Sequence, residues 1–473
     1  MKTQCNAKLL EFHPLGNRKI VARFDGGAIT SEAGGLLLRG AEKATGIIRQ
    51  FAGCFIDHRD PEFIEHRVEA LSGQRLYGLC LGYEDLNDHD TLRRDPLLAA
   101  LVDKLDPTGQ DRKRGRDRGK ALAGKSTLNR LELTKEAARD SAGKKDRYKK
   151  IEVVPSAVER LMVDLFVQAH PVAPKEIILD LDATDDPIHG AQEGRFFHGY
   201  YGGYCYLPLY VFCGEFLLAA KLRPSNIDSS FGALDEIERI TAHLRATWPK
   251  VRIILRGDSG FCREPIMVWC EAHGVDYLFG LARNARLEKV IDVERAQAMT
   301  FFDQTQKAAR LFKEFSYQTR EGWSRARRVI AKAEHLAKGA NPRFVVTTLS
   351  DEPKTLYEEI YCARGEMENR IKEQQLGLFA DRTSAATLRA NQLRLWFSSF
   401  AYILMQALRR LALKGTEMEK AQCQTIRLKL LKIGAQVRVT VRNVWVSLAG
   451  GCPYQELFHR AHENLRRLPV WNC

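Results

Sequence analysis

The sequence predicts an α/β protein in which helices cover a central mixed sheet. Short apolar runs such as Val251–Leu255 alternate with amphipathic stretches of helical period such as Leu234–Thr247. The runs follow the order three strands, helix, strand, helix, strand, which favours a sheet flanked by helices. Hydrophobic residues make up 45% of the chain, which is enough for globular cores.

The first predicted strand ends in carboxylates. Apolar residues occupy alternate positions of Lys175–Asp185, and Asp180 and Asp182 share the other face. A buried strand gains nothing from ionised carboxylates unless their desolvation is offset, and a hard divalent cation is a common compensation. The alternative is that the strand ends there and that both aspartates are solvated.

Two later segments offer further acids. Val251–Phe261 is a second apolar run, and it delivers Asp258 into a glycine-flanked turn. Farther on, a helical pattern places four polar side chains on one face. These are Tyr361, Arg364, Glu368 and Lys372. The same pattern predicts a neighbouring apolar stripe of Ile360, Ala363, Met367 and Ile371.

With these residues the sequence resembles a bacterial insertion-sequence transposase of the aspartate-aspartate-glutamate type. Within that class it resembles the IS-thirteen-eighty group, a relative of the IS-four group. The resemblance covers most of the chain and is carried by Asp182-Ala-Thr184, Arg256-Gly-Asp-Ser-Gly-Phe261, Tyr361-x2-Arg364-x3-Glu368 and Phe24-Asp-Gly-Gly-Ala-Ile-Thr-Ser31. The IS-four signature has a lysine seven positions after the glutamate, where this chain has Gln375; Lys372, on the same face one turn earlier, is the alternative carrier.

The resemblance implies a DNA transposase that binds the terminal inverted repeats of its element and catalyses strand cleavage and strand transfer. Asp182, Asp258 and Glu368 would be catalytic and would bind Mg²⁺, with Mn²⁺ as the substitute. Two such ions can activate the attacking oxygen and stabilise the leaving oxygen of a phosphodiester. Asp180 is the rival first aspartate, since it lies on the same strand face two residues earlier.

Several side chains are expected to contact DNA phosphates. Arg364 would do so by a bidentate fork, Lys372 as a point charge and Tyr361 by a hydrogen bond, a packed helix tyrosine being the alternative for Tyr361. A second set lies in Asp111–Lys120, the sharpest charge run of the chain, for which the alternative is a solvated surface segment. The run contributes Arg112, Lys113, Arg114, Arg116 and Arg118.

Gly119–Ser126 matches the phosphate-loop pattern G-x4-G-K-[ST] letter for letter. A phosphate loop needs a hydrophobic strand immediately upstream, and the upstream residues here are rich in arginine. We interpret the match as chance and expect no nucleotide cofactor.

Length and strand order suggest the domain organisation. A chain of 473 residues predicts roughly three domains, and the strand order is the one that the ribonuclease-H-like fold uses. Strands predicted at Ala309–Thr319, Ser324–Lys332 and Arg343–Leu349 interrupt that order. The predicted segments are a mainly helical, end-DNA-binding N-terminal region (1–150), the first part of a ribonuclease-H-like core (151–284), a β-rich insertion (285–352), the second part of the core with the glutamate helix (353–415) and a basic C-terminal region (416–473).

The charge balance predicts a polyanionic partner. Basic residues exceed acidic ones by 14, which favours nucleic acid, although net charge alone leaves ribosomal and anionic-membrane partners open. The resemblance implies that the partner is double-stranded DNA, both element ends and target. We expect a homodimer in the DNA complex. The eleven cysteines include no C-x2-C pair, and no apolar stretch makes a convincing membrane span. These features predict a cytoplasmic protein, associated with the nucleoid when bound to DNA, and no membrane partner.

Two other functions remain open. A ribonuclease-H-like nuclease or resolvase would share the three acids but would not need a dedicated end-binding region. A transposase-derived DNA-binding protein would keep the fold and lose the acids, all of which are present here. The aromatic, glycine-rich segment Gly190–Gly203 is interpreted either as a loop near the site that stacks on bases or as a packed aromatic loop.

Overall fold

A computed structural model describes residues 9–133 and 150–471. They form two compact units. The first combines the described part of Met1–Val154 with Gly377–Phe379 and Phe400–Cys473, and the second combines Pro155–Leu376 with Ala380–Ser399. Both units are therefore assembled from segments that are distant in sequence.

The second unit is built on a nine-stranded mixed sheet. Eight of its strands are β1 (Glu176–Ala183), β2 (Leu209–Cys213), β3 (Phe216–Lys221), β4 (Arg252–Gly257), β5 (Asp276–Leu281), β6 (Ala309–Tyr317), β7 (Arg327–Leu336) and β8 (Arg343–Thr347). The spatial order is β3-β2-β1-β4-β5-β8-β7-β6, and the short strand Gly339–Ala340 pairs with β7. β4 is parallel to β1 and to β5, whereas the other neighbours are antiparallel.

The central mixed sheet with flanking helices confirms the predicted α/β class. After β1, β2 and β3, the helix Ala233–Thr247 precedes β4, and the helix Glu264–His273 precedes β5. Parallel neighbours require such crossovers, because the chain must return to the same end of the sheet. Three short strands also lie between β1 and β2, at Asp186–Pro187, Phe196–His198 and Gly203–Tyr206.

The segment from 285 to 352 begins with helices and then extends the central sheet. The helices Ala285–Val290 and Asp292–Thr305 were not predicted from the sequence, whereas the three strands after them were. β8 pairs antiparallel with β5, with Leu278 opposite Thr347, and β7 and β6 follow outward. These strands thus continue the main sheet.

The two faces of the sheet bury different partners. One face contributes Leu179, Leu181 and Leu255 to a large core that includes Ile237 and Met267 of the crossover helices. The opposite face contributes Ile254, Leu278 and Val345 to a smaller cluster with Leu356 and Tyr357. Asp180 and Asp182 lie on this second face, because side chains alternate along a strand.

The segment that carries Glu368 is not one regular helix. It passes from Pro353–Thr355 through a π-helical turn, Leu356–Tyr361, and a 3₁₀ turn, Cys362–Arg364, into the α-helix Gly365–Leu378. The predicted apolar stripe is therefore wrong in part: Met367 and Ile371 are buried, but Ala363 is exposed. A π-helical turn adds a residue to the helical repeat and so rotates the preceding side chains out of the predicted stripe. The long helix Leu388–Ala412 follows.

The first unit contains short strands and mostly short helices. Leu10–Leu15 pairs with Arg18–Ala22, Ala435–Val439 pairs with both Ala28–Thr30 and Val444–Leu448, and Phe55–Asp57 pairs with Ile151–Val153. Its helices are Gly35–Thr45, Ile47–Ala52, Val68–Leu81, His89–Leu92, Pro96–Leu101, Lys125–Glu132, Cys423–Ile426 and Gln455–Arg466. No helix in the described parts of either unit is long and apolar enough to cross a membrane.

Candidate active site

The register between β1 and β4 brings two predicted acids to the same edge of the sheet. Arg256 lies opposite Asp180, and Gly257 lies opposite Leu181. Because the strands are parallel, the next residue along each chain is Asp182 on one side and Asp258 on the other. The Asp258 carboxylate accepts a hydrogen bond from the backbone N–H of Gly260 at 2.8 Å, which fixes it within the turn.

Asp180 is held by an arginine on the neighbouring strand. Arg256 donates from Nε to one carboxylate oxygen at 2.5 Å and from Nη2 to the other at 2.7 Å, and it also donates to the carbonyl of Ile360. Burial raises the pKa of Asp180, while Arg256 acts to lower it. Both oxygens of Asp180 thus accept from Arg256, whereas the nearest cation to Asp182 is Arg364, at 3.6 Å.

Glu368 is linked to Asp182 by an arginine that contacts both carboxylates. Arg364 lies one turn before Glu368 and donates to its carboxylate at 2.8 Å. The other end of the same guanidinium lies 3.6 Å from the Asp182 carboxylate. Arg364 therefore sits between the strand-end aspartate and the helical glutamate.

The three acids influence one another electrostatically. Burial raises the pKa of Asp182 to about 6; Arg364 acts against this rise, and the negative charges of Asp258 and Glu368 add to it. Burial acts to lower the pKa of Arg364, but Asp182 and Glu368 raise it, and the net shift is upward. One cation thus offsets part of the repulsion among three carboxylates.

A glycine that the sequence analysis did not single out makes room beneath the Asp258 turn. A Cβ atom at Gly280 of β5 would lie 2.5 Å from the Tyr361 hydroxyl and 3.0 Å from the backbone nitrogen of Ser259. Burial raises the pKa of Tyr361, with Arg364 opposing and Asp258 reinforcing the rise. A glycine inside a predicted strand is a sequence signal for such a close approach, and it could have identified Gly280.

The donor set fits a hard divalent cation, although the side chains are not drawn together around one. Within residues 9–133 and 150–471, no group of three or more His, Cys, Asp or Glu side chains is close enough to hold a metal ion. The Arg364 guanidinium contacts two of the three carboxylates and balances part of their negative charge. Oxygen donors from Asp182, Asp258 and Glu368 are the ligand type that Mg²⁺ prefers.

Gln375, at the position of the signature lysine, and Lys372, one turn earlier, have different environments. Lys372 is exposed, and its ammonium makes no ion pair with any residue that the structure describes. Gln375 is half-buried and donates to the carbonyl of Asp185 at 3.1 Å. The side chain at the signature position is therefore engaged with the loop after β1, while Lys372 is available to solvent.

A fourth carboxyl is buried just beyond β1. Asp186 is 1% exposed, and neither carboxylate oxygen has a hydrogen-bond partner among the described residues. Burial raises its pKa to about 8; the Thr383 hydroxyl lowers this pKa without reaching hydrogen-bond geometry, and Asp381 and Asp185 raise it. Burial thus favours the protonated, neutral form of Asp186.

Aromatic side chains of the predicted loop Gly190–Gly203 lie beside the site. The Tyr201 hydroxyl approaches the carbonyl oxygen of Ala183 at 3.5 Å. Burial raises the pKa of Tyr201 to about 12, and Asp185 and Asp182 contribute to the rise. Phe197 is 60% exposed and Tyr200 is 88% exposed. The segment therefore combines a ring near the acids with rings open to solvent.

The predicted phosphate-binding run lies in the first unit, and two of its side chains already bind groups within the protein. Arg112 pairs with Glu65 at 2.9 Å and donates to the carbonyl of Lys120 at 2.6 Å, and Lys113 donates to the carbonyl of Glu62 at 2.8 Å. Arg114, Arg116 and Arg118 are exposed.

The phosphate-loop match lacks the context that such a loop needs. Among the described residues, no strand lies between Phe55–Asp57 and Gly119, and the segment leads directly into the helix Lys125–Glu132. A phosphate loop requires a strand at this place to aim its glycines.

Comparisons with known proteins identify the family of the chain. The family model described as Transposase DDE domain group 1 matches residues 12–470. No curated protein matches the chain. Among solved structures, a piggyBac transposase synaptic complex with hairpin DNA, determined by cryo-EM, matches with a TM-score of 0.38 and 9% identity over 92% of this chain and 85% of that one.

Proposed function

Because the chain belongs to the Transposase DDE domain group 1 family, we propose that this DNA transposase binds the terminal inverted repeats of its element and moves it by cut-and-paste transposition. Strand cleavage and strand transfer would take place on a ribonuclease-H-like core formed by β1 to β5. Within the family, the motif from Tyr361 to Glu368 supports placement in the IS-thirteen-eighty group.

One observation carries this proposal: Arg364 lies 2.8 Å from Glu368 and 3.6 Å from Asp182, which the register of β1 and β4 places beside Asp258. Three carboxylates that are far apart in sequence share one electrostatic environment at the carboxyl ends of two parallel strands. Such an arrangement is costly unless cations neutralise it. It is the environment expected of residues selected for metal-assisted phosphoryl chemistry.

Asp182, Asp258 and Glu368 would hold the divalent ions, with magnesium as the expected metal and manganese as its substitute. Bound there, the ions supply activation of the attacking oxygen and stabilisation of the leaving oxygen. Asp180 would act as a positioning residue, because its two hydrogen bonds to Arg256 link β1 to β4 directly beneath the acids. The same arginine donates to the carbonyl of Ile360, and this ties the glutamate segment to the sheet.

Arg364 would exchange partners when substrate binds. Its guanidinium spans Asp182 and Glu368 and so balances negative charge in the absence of metal. A DNA phosphate near the scissile bond would compete with these two carboxylates for Arg364, whose fork of donors suits phosphate oxygens. Tyr361 and Lys372 would contact the same stretch of backbone, and Tyr201 and Tyr200 would pack against bases or sugars.

The decisive experiment removes one charge from the helix. Glu368→Gln keeps the shape of the side chain, so the protein should bind duplex DNA carrying its flanking inverted repeats as the wild type does. Mg²⁺-dependent cleavage, followed by mapping of the cut ends, should fall at least about a hundredfold, equivalent to about 2.7 kcal/mol of transition-state stabilisation. The matched control is Glu366→Gln, which removes an exposed carboxylate from the same helix.

The outcomes separate the candidate functions. Cleavage by Glu368→Gln at the wild-type rate would make the helical acid structural and would favour a two-aspartate nuclease. Wild-type protein that binds the repeats but never cuts them with Mg²⁺ or Mn²⁺ would be an inactive transposase-derived DNA-binding protein.

A further inference from the structure

The first compact unit contains a cavity of about 440 Å³ with strongly basic walls. Six arginines line it, against the three acids Glu65, Asp90 and Asp117. The arginines are Arg59, Arg93, Arg112, Arg114, Arg116 and Arg130. A volume of this size lies within the range of sites that bind small organic groups, and it exceeds what a simple ion requires.

Two of these arginines form the fixed wall. Arg59 pairs with Asp57 at 2.7 Å and donates to the carbonyl of His66 at 2.9 Å. Arg112 pairs with Glu65 at 2.9 Å and donates to the carbonyl of Lys120 at 2.6 Å. These contacts hold both guanidinium groups in place, and each group is also paired with a carboxylate. This wall is therefore ordered, and the positive charge available to a ligand comes from the other arginines.

Other arginines are available to a ligand. Arg114 is exposed, and its side chain makes no hydrogen bond or ion pair with the part of the chain that the structure describes. Arg116 is 75% exposed, and its nearest acid, Asp117, lies 3.9 Å away. Burial together with Lys104, Arg112 and Arg59 lowers the pKa of His66 to about 3, which is consistent with excess positive charge in this part of the unit.

Neutral groups complete the lining. Ser126 and Thr127 contribute at the start of the helix Lys125–Glu132, and Phe63, which is 79% exposed, contributes an aromatic ring. The backbone N–H of Lys125 already donates to Asp90 at 3.1 Å. One of the N–H groups at the start of this helix is therefore already used within the protein.

We propose that this cavity binds one phosphate group of the DNA backbone, together with its sugar, in the complex with an element end. Arginine forks suit phosphate oxygens, and the ring of Phe63 suits the apolar face of a sugar or base. The identification of the polymer as DNA rests on the function proposed above. Inorganic phosphate or a free nucleotide offers the same chemistry and is the competing source.

Arg114→Ala tests the cavity, because the side chain is exposed and its removal leaves no buried group unpaired. Binding of duplex DNA carrying the element's inverted repeats should weaken about tenfold, and the salt dependence of binding should fall by about one unit of slope. The matched control is Arg94→Ala, an exposed arginine of the same unit that does not line the cavity, for which the change should stay below about twofold.

Neutral methylphosphonate linkages, introduced one at a time into the DNA, would locate the bound phosphate. At a single position the neutral linkage should weaken wild-type binding about tenfold and Arg114→Ala binding no further, since both changes remove the same contact. Effects that add at every position, or equal losses for Arg114→Ala and Arg94→Ala, would overturn the proposal. So would ATP or inorganic phosphate binding that Arg114→Ala abolishes while DNA affinity stays unchanged.

The cavity and the proposed function can fail separately. If cleavage by Arg114→Ala returns to the wild-type rate at saturating DNA, the cavity serves binding and both proposals stand. If the wild type shows the phosphate-specific loss but cuts no DNA with Mg²⁺ or Mn²⁺, the cavity stands and the transposition activity does not.

Discussion

The buried carboxyl of Asp186 should make the stability of the fold fall as the pH rises through neutrality. Its pKa is about 8 in the folded chain, against 3.8 for an ordinary aspartate. Between these two values the folded protein keeps a proton that the unfolded chain releases. The contribution is fully present below about pH 4 and is lost as the pH rises toward about 8, because the unfolded state then binds fewer protons than the folded state.

Asp186→Asn removes this dependence, because an amide has nearly the same shape and does not titrate. Each pKa unit corresponds to about 1.4 kcal/mol. From about pH 5 to about pH 7.5, the free energy of unfolding of the wild type should therefore fall by about 3 kcal/mol relative to that of the variant. At the upper end of this window the variant should be the more stable protein.

Urea unfolding at a series of pH values measures the difference directly. Asp185→Asn is the control, because it removes a neighbouring carboxylate and leaves the buried one, and it should keep most of the wild-type decline. Parallel declines for the wild type and Asp186→Asn would refute the reasoning, since Asp186 would then be ionised in the folded protein or reached by water.

Two further substitutions test how the acids are positioned. Gly280→Ala places a methyl group 2.5 Å from the Tyr361 hydroxyl. The rate of DNA cleavage should fall about tenfold to a hundredfold, and the free energy of unfolding should fall by about 1–3 kcal/mol. The control Gly434→Ala, with nothing within 4 Å of its Cβ, should change neither the cleavage rate nor the urea midpoint. Arg256→Ala leaves Asp180 buried without its partner and should lower the free energy of unfolding by about 3–5 kcal/mol. The double variant with Asp180→Asn should recover much of that loss. A double variant as unstable as the single one would show that loss of the ion pair is not the cause.

The sequence could predict the parts of the fold that depend on local pattern. Alternation of apolar residues located the strands that end in Asp182 and Asp258, and the order of strands and helices indicated the mixed sheet. The apolar alternation could not predict that β6, β7 and β8 join the same sheet. Their apolar alternation would suit a separate sheet equally well, and only the pairing of β8 with β5 decides the matter.

The turn geometry before Glu368 was also beyond prediction. Spacing alone extends one regular helix through Tyr361 and Glu368, whereas the structure inserts a π-helical turn at Leu356–Tyr361. Leu356 and Tyr357 on that turn pack into the smaller core cluster, which contains Leu278 of the sheet. Burial of these side chains is a tertiary gain with no signature in the helical repeat.

The contacts of Arg364 could be predicted from the sequence only in part. The spacing of four residues predicts that Arg364 and Glu368 share a helix face, and the structure agrees, with 2.8 Å between their polar atoms. A shared face serves a phosphate contact and an internal ion pair equally well. What decides between them is the distance to Asp182, 3.6 Å, which depends on how the helix lies on the sheet. Because the same guanidinium contacts both Asp182 and Glu368, we expect a DNA phosphate to compete with these carboxylates for Arg364.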